Sequence, residues 1–308
     1  MAEYFTYNAL PPKEDPAMTQ PGPLAVDKET FEKMMKAKQE NGPGYWTVMR
    51  EVFAKDFAEL PKQRFKVWAS TMTVPFMARS RFIEYINVVT SWASVNQTVR
   101  DALIDTGVGM TADDYQLYRV FDDFPTTMNR VQHMAHLAIN GWGPDELSKL
   151  DTIVELGGGI GDMADIVCKM GFKGKYIIYD FPEVGAIQKW YHDELGHDNI
   201  VHTSDLNDLV DADLCIATWS FTEIPLDLRD QVMEKIGNTK NWLIAYSNQI
   251  FGIDNDKYIR ETFVPQIEEY SEISYTDIPF MPWDGGAKYL SAKYIEQTEN
   301  IEHNEQGE

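Results

Sequence analysis

The stretch Thr152-Ile-Val-Glu155-Leu-Gly157-Gly-Gly159-Ile-Gly161-Asp162 constrains the fold more than any other part of the chain. It reads as a short buried strand that stops in a glycine-rich turn and restarts as a helix. Without Cβ atoms the turn lets the backbone approach a ligand closely, and the helix behind it presents free N–H groups. A second apolar run, Lys175-Tyr-Ile-Ile-Tyr179, ends in Asp180. That order puts a carboxylate at the tip of the neighbouring parallel strand, where it can hold the two hydroxyls of a ribose. The pair implies a site for an adenosine-containing ligand.

The glycines alone leave the ligand open, because Gly159-Ile-Gly161-Asp-Met-Ala164 also satisfies the dinucleotide pattern G-x-G-x-x-A. Three features favour S-adenosylmethionine, which carries a sulfonium and an ammonium and no phosphate. Glu155 ends the first strand beside the turn, where it can meet a cation. No Lys or Arg that would seek a phosphate lies in the loop. The motif starts at residue 155 of 308, which leaves a single mononucleotide-type half behind it. The competing reading, a short NAD-dependent oxidoreductase, calls for a Tyr-x-x-x-Lys pair after the fourth strand, and Tyr246 is followed at position 250 by Ile. A third alternative is a non-catalytic cofactor-binding subunit that keeps the fold.

Three blocks carry a resemblance: Val154 to Asp162, then Tyr176-Ile-Ile-Tyr-Asp-Phe-Pro-Glu-Val184, then Asp213-Leu-Cys-Ile-Ala-Thr-Trp-Ser-Phe-Thr-Glu-Ile-Pro225. In this order they resemble the successive motifs of class I S-adenosylmethionine-dependent methyltransferases. The Asp-Phe-Pro-Glu-Val segment, with Gln188 and Tyr191 behind it, is most similar to that of the sugar O-methyltransferase family. The resemblance covers roughly residues 125 to 295. It implies a seven-stranded Rossmann-like α/β sheet and methyl transfer by in-line displacement to a hydroxyl of a sugar or similar small polar acceptor. It also implies that Asp205 accepts the adenine amino group while Leu206 covers the ring.

At 308 residues and 44% hydrophobic, the chain can bury one large core or two smaller ones. No apolar run approaches twenty residues, and the first residues lack the basic and apolar regions of a signal peptide, so a cytoplasmic protein without a membrane span is expected. Cys168 and Cys215, the two cysteines, fall in a predicted helix and a predicted strand and are expected to be buried free thiols. The net charge of −22 argues against nucleic acid as a partner. The expected partner is a small-molecule acceptor, a sugar or nucleotide sugar, with a homo-oligomer possible.

Residues 1–28 are rich in proline and polar side chains and read as an extended arm. Residues 29–143 read as a helical acceptor-side cap. Helical spacing runs over Phe31–Lys38, Tyr45–Phe57, Pro61–Met72, Arg79–Val95, Asp113–Phe121 and Thr127–Asn140. Gly141-Trp-Gly-Pro144 breaks the pattern just before the first strand. Residues 144–296 alternate strand and helix as a cofactor-binding sheet should, with strands at Thr152–Leu156, Lys175–Asp180, Asn199–Thr203, Asp213–Trp219 and Trp242–Ser247. After a helix at Tyr258–Tyr270, the runs Ser271–Phe280 and Ala287–Ile295 form an antiparallel hairpin across Gly285-Gly286. Residues 297–308 read as a disordered acidic tail.

Ligands in such sheets lie beyond the carboxyl ends of the strands. The cofactor-binding candidates are therefore Glu155, Gly157, Gly159, Gly161, Asp180, Phe181, Asp205, Leu206, Thr218, Trp219 and Ser220. A hydroxyl acceptor needs alignment and a base. Glu223, past the fourth strand, and His133 and His136, on one face of the preceding helix, are the catalytic candidates. No metal is expected.

Overall fold

The computed structural model describes residues 24–40, 44–68, 70–71, 83–114, 125–278 and 286–295. The acidic tail, nearly all of the arm, and parts of the helices expected at Arg79–Val95 and Asp113–Phe121 lie outside those residues, as does most of the hairpin turn.

The first described half is helical: α1 (Lys28–Glu40), α2 (Tyr45–Glu59), α3 (Ile83–Val95), α4 (Gln97–Leu103) and α5 (Met128–Ile139). Asn96 starts α4 by accepting the Val99 N–H at 3.1 Å, the usual cap for an otherwise orphaned donor. Then come β1 (Thr152–Leu156), α6 (Asp162–Lys169), β2 (Lys175–Tyr179), α7 (Pro182–Leu195), β3 (Ile200–Thr203), β4 (Leu214–Thr218), α8 (Leu226–Ile236), β5 (Asn241–Ser247), β6 (Ser271–Asp277) and β7 (Ala287–Tyr294). Pro182 opens α7, where its fixed φ suits the first turn, and Gly196 closes it at φ 76.

The strands form one seven-stranded sheet in the order β3-β2-β1-β4-β5-β7-β6. β1 to β5 are parallel; β7 pairs antiparallel with β5 and with β6. This is the expected class I methyltransferase sheet, with the reversed strand inserted beside β5. The chain order reverses between β1 and β4, which is where an open α/β sheet leaves its ligand crevice.

Alternation along the strands divides the packing. Ile153, Tyr176, Ile178, Leu214, Ile216, Leu243 and Tyr289 face a core completed by Tyr85 and Val89 of α3, Val131 and Met134 of α5, and Met163 and Ile166 of α6. Val154, Ile177, Cys215, Trp242, Ile244 and Leu290 face the other way, onto Val232 and Ile236 of α8 and onto Phe263 and Ile267. A third cluster joins α1 and α2 to α7 through Met34, Met49, Phe53, Ile187 and Tyr191. Both cysteines are buried and free.

Two elements differ from expectation. The helix expected over Pro61–Met72 is a 3-10 segment, Lys62–Val67, broken at Arg64 (φ −125, ψ 22). The break lets Arg64 reach Asp114 at 2.7 Å and lets Lys66 reach Asp105 at 2.8 Å; a regular helix would not deliver both to buried partners. The helix expected over Tyr258–Tyr270 is a π-helical turn, Ile259–Phe263, followed by a 3-10 turn, Val264–Gln266. Pro265 lacks the N–H that a continued α-helix needs. A small hairpin, Gln249–Ile250 with Ile253–Asp254, turns at Phe251 and Gly252, both with positive φ. Among the described residues, no helix is long and apolar enough to cross a membrane.

Candidate functional site

The chain leaves β1 at Gly157, whose φ of 70 suits a residue without Cβ. Its N–H donates to the Tyr179 carbonyl at 2.8 Å. An added Cβ there would stand 2.4 Å from the Ser220 Cβ, so the loop is pressed against the segment after β4. The Ser220 hydroxyl donates to the Leu156 carbonyl and ties the two strand ends together. Gly159 and Gly161 follow at φ 56 and 91, and a Cβ on Gly161 would meet His192 Nε2 at 2.8 Å.

Asp180 is partly exposed at the tip of β2. One carboxyl oxygen accepts the Phe181 N–H at 2.8 Å; the other accepts Gln188 Nε2 at 2.8 Å. Gln188 Nε2 also donates to the Gly159 carbonyl at 2.9 Å, so one amide braces the loop against the acid. Burial pushes the Asp180 pKa up to about 6, opposed by these bonds and by the N–H groups of Gly159 and Gly158. Asp180 is thus anionic at pH 7. Glu155 is buried and accepts the Tyr176 hydroxyl at 2.9 Å. Burial drives its pKa up to about 8, the Tyr176 bond opposes this, and the nearby Asp180 charge adds to it. Glu155 is a neutral acid near pH 7, and an adjacent cation would ionise it.

The first residue of α6, Asp162, carries a carboxylate that makes no cap bond to the helix's own N–H groups and pairs with side chains instead. Asp162 is fully buried and accepts Asn129 Nδ2 and the Tyr191 hydroxyl, each at 2.8 Å, with Lys66 Nζ and an Arg130 nitrogen at 3.2 Å. Burial works to raise its pKa, yet the Lys66 and Arg130 charges leave it well below the usual range. Asp165, one turn on, pairs with Arg130 at 2.6 Å, His197 at 2.8 Å and Lys169 at 2.9 Å. His192 holds the Gly161 carbonyl through Nε2 at 2.9 Å. A carbonyl only accepts, so Nε2 bears the proton, and Nδ1 accepts from His202 Nε2 at 2.8 Å.

Thr218 ends β4 opposite Ala245. Trp219 then takes φ 78 and ψ −39, an uncommon backbone for an aromatic residue, of order 1–3 kcal/mol in strain. Its N–H stays bonded to the Ala245 carbonyl at 2.6 Å, and its own carbonyl accepts Thr222 Oγ1 at 3.1 Å. The Trp219 ring stands 6.1 Å from the ring of His136. His136 is fully buried, bonded through Nδ1 to the Tyr289 hydroxyl at 2.6 Å, which in turn meets the Tyr85 hydroxyl at 3.1 Å. Burial, with His133 close by, keeps His136 neutral; burial likewise pulls the His133 pKa down to about 4.

Glu223 ends the turn after Trp219 and is partly exposed. Burial around its carboxyl pushes the pKa up to about 7, and a hydrogen bond from Trp46 of α2 opposes that rise. α2 also reaches the other strand tip. Trp46 packs on Phe181 at 5.9 Å, Arg50 stacks over Phe181 at 4.9 Å, and Arg50 binds both Glu183 oxygens at 2.9 and 3.0 Å. Asp205 is exposed and caps the 3-10 turn Leu206–Asp208 through the Asn207 N–H at 2.9 Å; Leu206 is half-buried against the core that contains Val154 and Ile177.

The structure thus gathers Glu155, the glycines, Asp180, Phe181, Trp219, Ser220 and Glu223 at the carboxyl ends of β1, β2 and β4, with the His136 ring beside that of Trp219. Sequence reasoning assigned no role to the Arg50–Glu183 pair, Tyr289 or the Lys66–Arg130–Asp162 cluster, and read Trp46 only as one of many aromatics of the helical cap, most of them core. Several buried polar atoms of this region lack a partner among the described residues: Tyr45 Oη, Gln188 Oε1, His133 Nδ1 and His136 Nε2. Unmet buried groups are costly and call for a partner such as water or a ligand.

No protein-family profile matches the chain, and no curated protein does. Among solved structures, it is similar to a SAM-dependent methyltransferase from Aquifex aeolicus (18% identity, 47% of this chain and 82% of that one, TM-score 0.35). It is likewise similar to a ribosomal protein L11 methylase from Lactobacillus delbrueckii subsp. bulgaricus (19%, 53% and 79%, 0.36) and to an rRNA methylase from Streptococcus thermophilus (12%, 50% and 94%, 0.38). The exclusion of nucleic acid as a partner is corrected by these similarities: one of the chains is named for rRNA, so net charge does not rule that acceptor class out.

Proposed function

We propose that this chain is an S-adenosylmethionine-dependent methyltransferase. The observation that carries the proposal is the Asp180 carboxylate at the tip of β2, braced by Gln188 against the glycine loop. It suits the two hydroxyls of a ribose. The loop itself carries no Lys or Arg for a pyrophosphate, and the residue behind it, Asp162, adds a buried negative charge. This favours a ligand with a ribose, cationic groups and no phosphate over a dinucleotide. Glu155, neutral when alone, lies below the loop where an ammonium would ionise it.

When bound, the cofactor supplies a methyl group on a good leaving group, so the protein is left to orient the acceptor and take its proton. Asp180 holds the ribose side, the glycine backbone allows close approach, and Trp219 walls the site beside the end of β4. Glu223 is the proposed proton acceptor: at pH near 7 about half of its carboxyl is ionised, which suits a group that must gain a proton during the reaction. His133 and His136 are the second candidates, on the α5 side.

Calorimetry with S-adenosylmethionine, S-adenosylhomocysteine and NAD tests the cofactor. The first two are expected to bind, and binding of NAD alone would sink the proposal. The finer reading, drawn from the resemblance of the three sequence blocks, is transfer to a hydroxyl of a sugar. S-Adenosylhomocysteine release is to be followed with nucleotide sugars, oligosaccharides and rRNA as acceptors; turnover on rRNA alone would replace the sugar reading. Single alanine variants of Glu223, His133 and His136 then assign the base. The true one loses about 10²- to 10⁴-fold in turnover while retaining cofactor affinity.

A further inference from the structure

One face of α7 fastens the glycine loop at three points. Tyr191 donates its hydroxyl to Asp162 at 2.8 Å, His192 Nε2 donates to the Gly161 carbonyl at 2.9 Å, and Gln188 Nε2 donates to the Gly159 carbonyl at 2.9 Å. Positions 188, 191 and 192 are spaced i, i+3 and i+4, so a single helix face carries all three. Of the three, Gln188 also bonds Asp180, at 2.8 Å and through the same nitrogen. It is fully buried, and a Cβ on Gly158 would stand 3.1 Å from that nitrogen and 2.6 Å from Ile178 Cγ2, so the amide is packed against the loop backbone. Both partners of the nitrogen are acceptors only, which fixes the orientation of the amide: turned over, its oxygen would face a carbonyl and a carboxylate. In the fixed orientation Gln188 Oε1 has no partner among the described residues, and an unmet buried acceptor is costly. Tyr191 and His192 already hold the loop, so the loop alone does not account for that cost.

We infer that Gln188 is a positioning residue that sets the ribose specificity of the cofactor seat: its N–H aims the Asp180 carboxyl so that each oxygen keeps one acceptor direction for a hydroxyl of a vicinal diol. The inference rests on reading these strand tips as an S-adenosylmethionine site. A carboxylate offers about four lone-pair directions, two on each oxygen. The Phe181 N–H takes one on the first oxygen, and Gln188 takes one on the second, both at 2.8 Å. One direction per oxygen is left, on a partly exposed group at the tip of β2, and that matches the 2′- and 3′-hydroxyls of a ribose. Among the described residues no other side chain bonds the Asp180 carboxyl, so without Gln188 no side chain fixes the plane in which those directions point.

The test needs no acceptor. Calorimetry compares S-adenosylhomocysteine with its 2′-deoxy and 3′-deoxy counterparts, so the ratio of affinities reads the seat of the hydroxyls and cancels any general loosening of the site. In the wild-type chain each missing hydroxyl should weaken binding about tenfold to a hundredfold, the usual worth of one hydrogen bond to a charged group. Gln188→Met keeps the bulk of the side chain and removes the N–H, and its ratios should fall below about threefold. Asp180→Ala is the reference and should bring them to about one. Gln188→Leu repeats the measurement if the Met variant does not fold. A purely structural Gln188 would weaken all three ligands alike and leave the ratios at their wild-type values, a result that overturns the inference and leaves the cofactor reading intact. Loss of folding in both variants would make Gln188 a core residue and overturn it as well, as would a wild-type chain that does not tell the three ligands apart. Failure of the wild-type chain to bind S-adenosylhomocysteine overturns the inference and the cofactor reading together.

Discussion

Near the glycine loop, one buried polar cluster is closely paired, while several separate buried groups are not. In the paired cluster, Asp162 and Asp165 meet Lys66, Arg130, Lys169, His197, Asn129 and Tyr191, at 2.6 to 3.2 Å. Elsewhere, Tyr45, Gln188, His133 and His136 each leave one polar atom without a partner among the described residues. A network that satisfies itself holds structure and has no valence left for a ligand; groups that are not satisfied leave a donor or acceptor open to water or a ligand. The same kinds of residue therefore take opposite roles near one loop.

The comparison breaks most sharply at Arg130, which is fully buried between both aspartates. Arg130→Met should lower unfolding stability by about 3–5 kcal/mol, since two carboxylates would lose their shared partner. Denaturant midpoints measure it, and a loss below 1 kcal/mol would mean that the cluster is not what holds α5 to α6. On the other side, Asp180→Ala should weaken S-adenosylhomocysteine binding by about 2–4 kcal/mol, roughly 30- to 1,000-fold, in a chain that still folds. Calorimetry on the folded variant decides, and an unchanged dissociation constant removes the ribose assignment.

Acid separates the regions further. Burial lowers the pKa of His192 to about 4 and of His202 to about 3, against roughly 6.5 in the unfolded chain. Their contribution to stability is present above pH 6.5 and is lost as pH falls from there toward 4. Asp162 and Asp165 have depressed carboxyl pKa values, so their contribution persists until pH falls below about 4. Glu155, raised to about 8, runs the other way and loses its contribution as pH rises. The measurement is therefore a difference: the urea midpoint of His202→Gln minus that of wild type should climb between pH 6.5 and 4, and a flat difference would deny the histidine chain its role beneath Gly161. The smallest effect is a control outside both sets of residues. Lys189 and Asp193 pair at 2.9 Å on the exposed face of α7; Lys189→Ala should shift stability by no more than about 0.5 kcal/mol.

Most of the sheet and the cofactor side of the crevice were legible in the sequence, because both are local. A strand, a glycine turn and an acid at the next strand tip are written within thirty or so residues, and alternation fixes which face each side chain takes. The opposite wall was not legible. Arg50 meets Glu183 across 133 positions, and Lys66 meets Asp162 across 96. No periodicity in α2 marks Trp46, which packs on Phe181 past the tip of β2, as different from the core aromatics around it. The irregular segments at Lys62–Val67 and Ile259–Gln266 escaped for a related reason: their apolar spacing is helical, and tertiary pairing in one and Pro265 in the other overrode it.

The bond between His136 and Tyr289 joins residues 153 positions apart. A ribosome delivers α5 long before the strand that carries Tyr289. Until then the apolar stripe of that helix and the histidine on it have no finished surface to dock on, and β5 has an open edge where β7 belongs. The packing of α3 and α5 against the sheet is therefore finished only when the hairpin arrives, and during that interval a chaperone or a premature stop would have its largest influence on the yield of native protein.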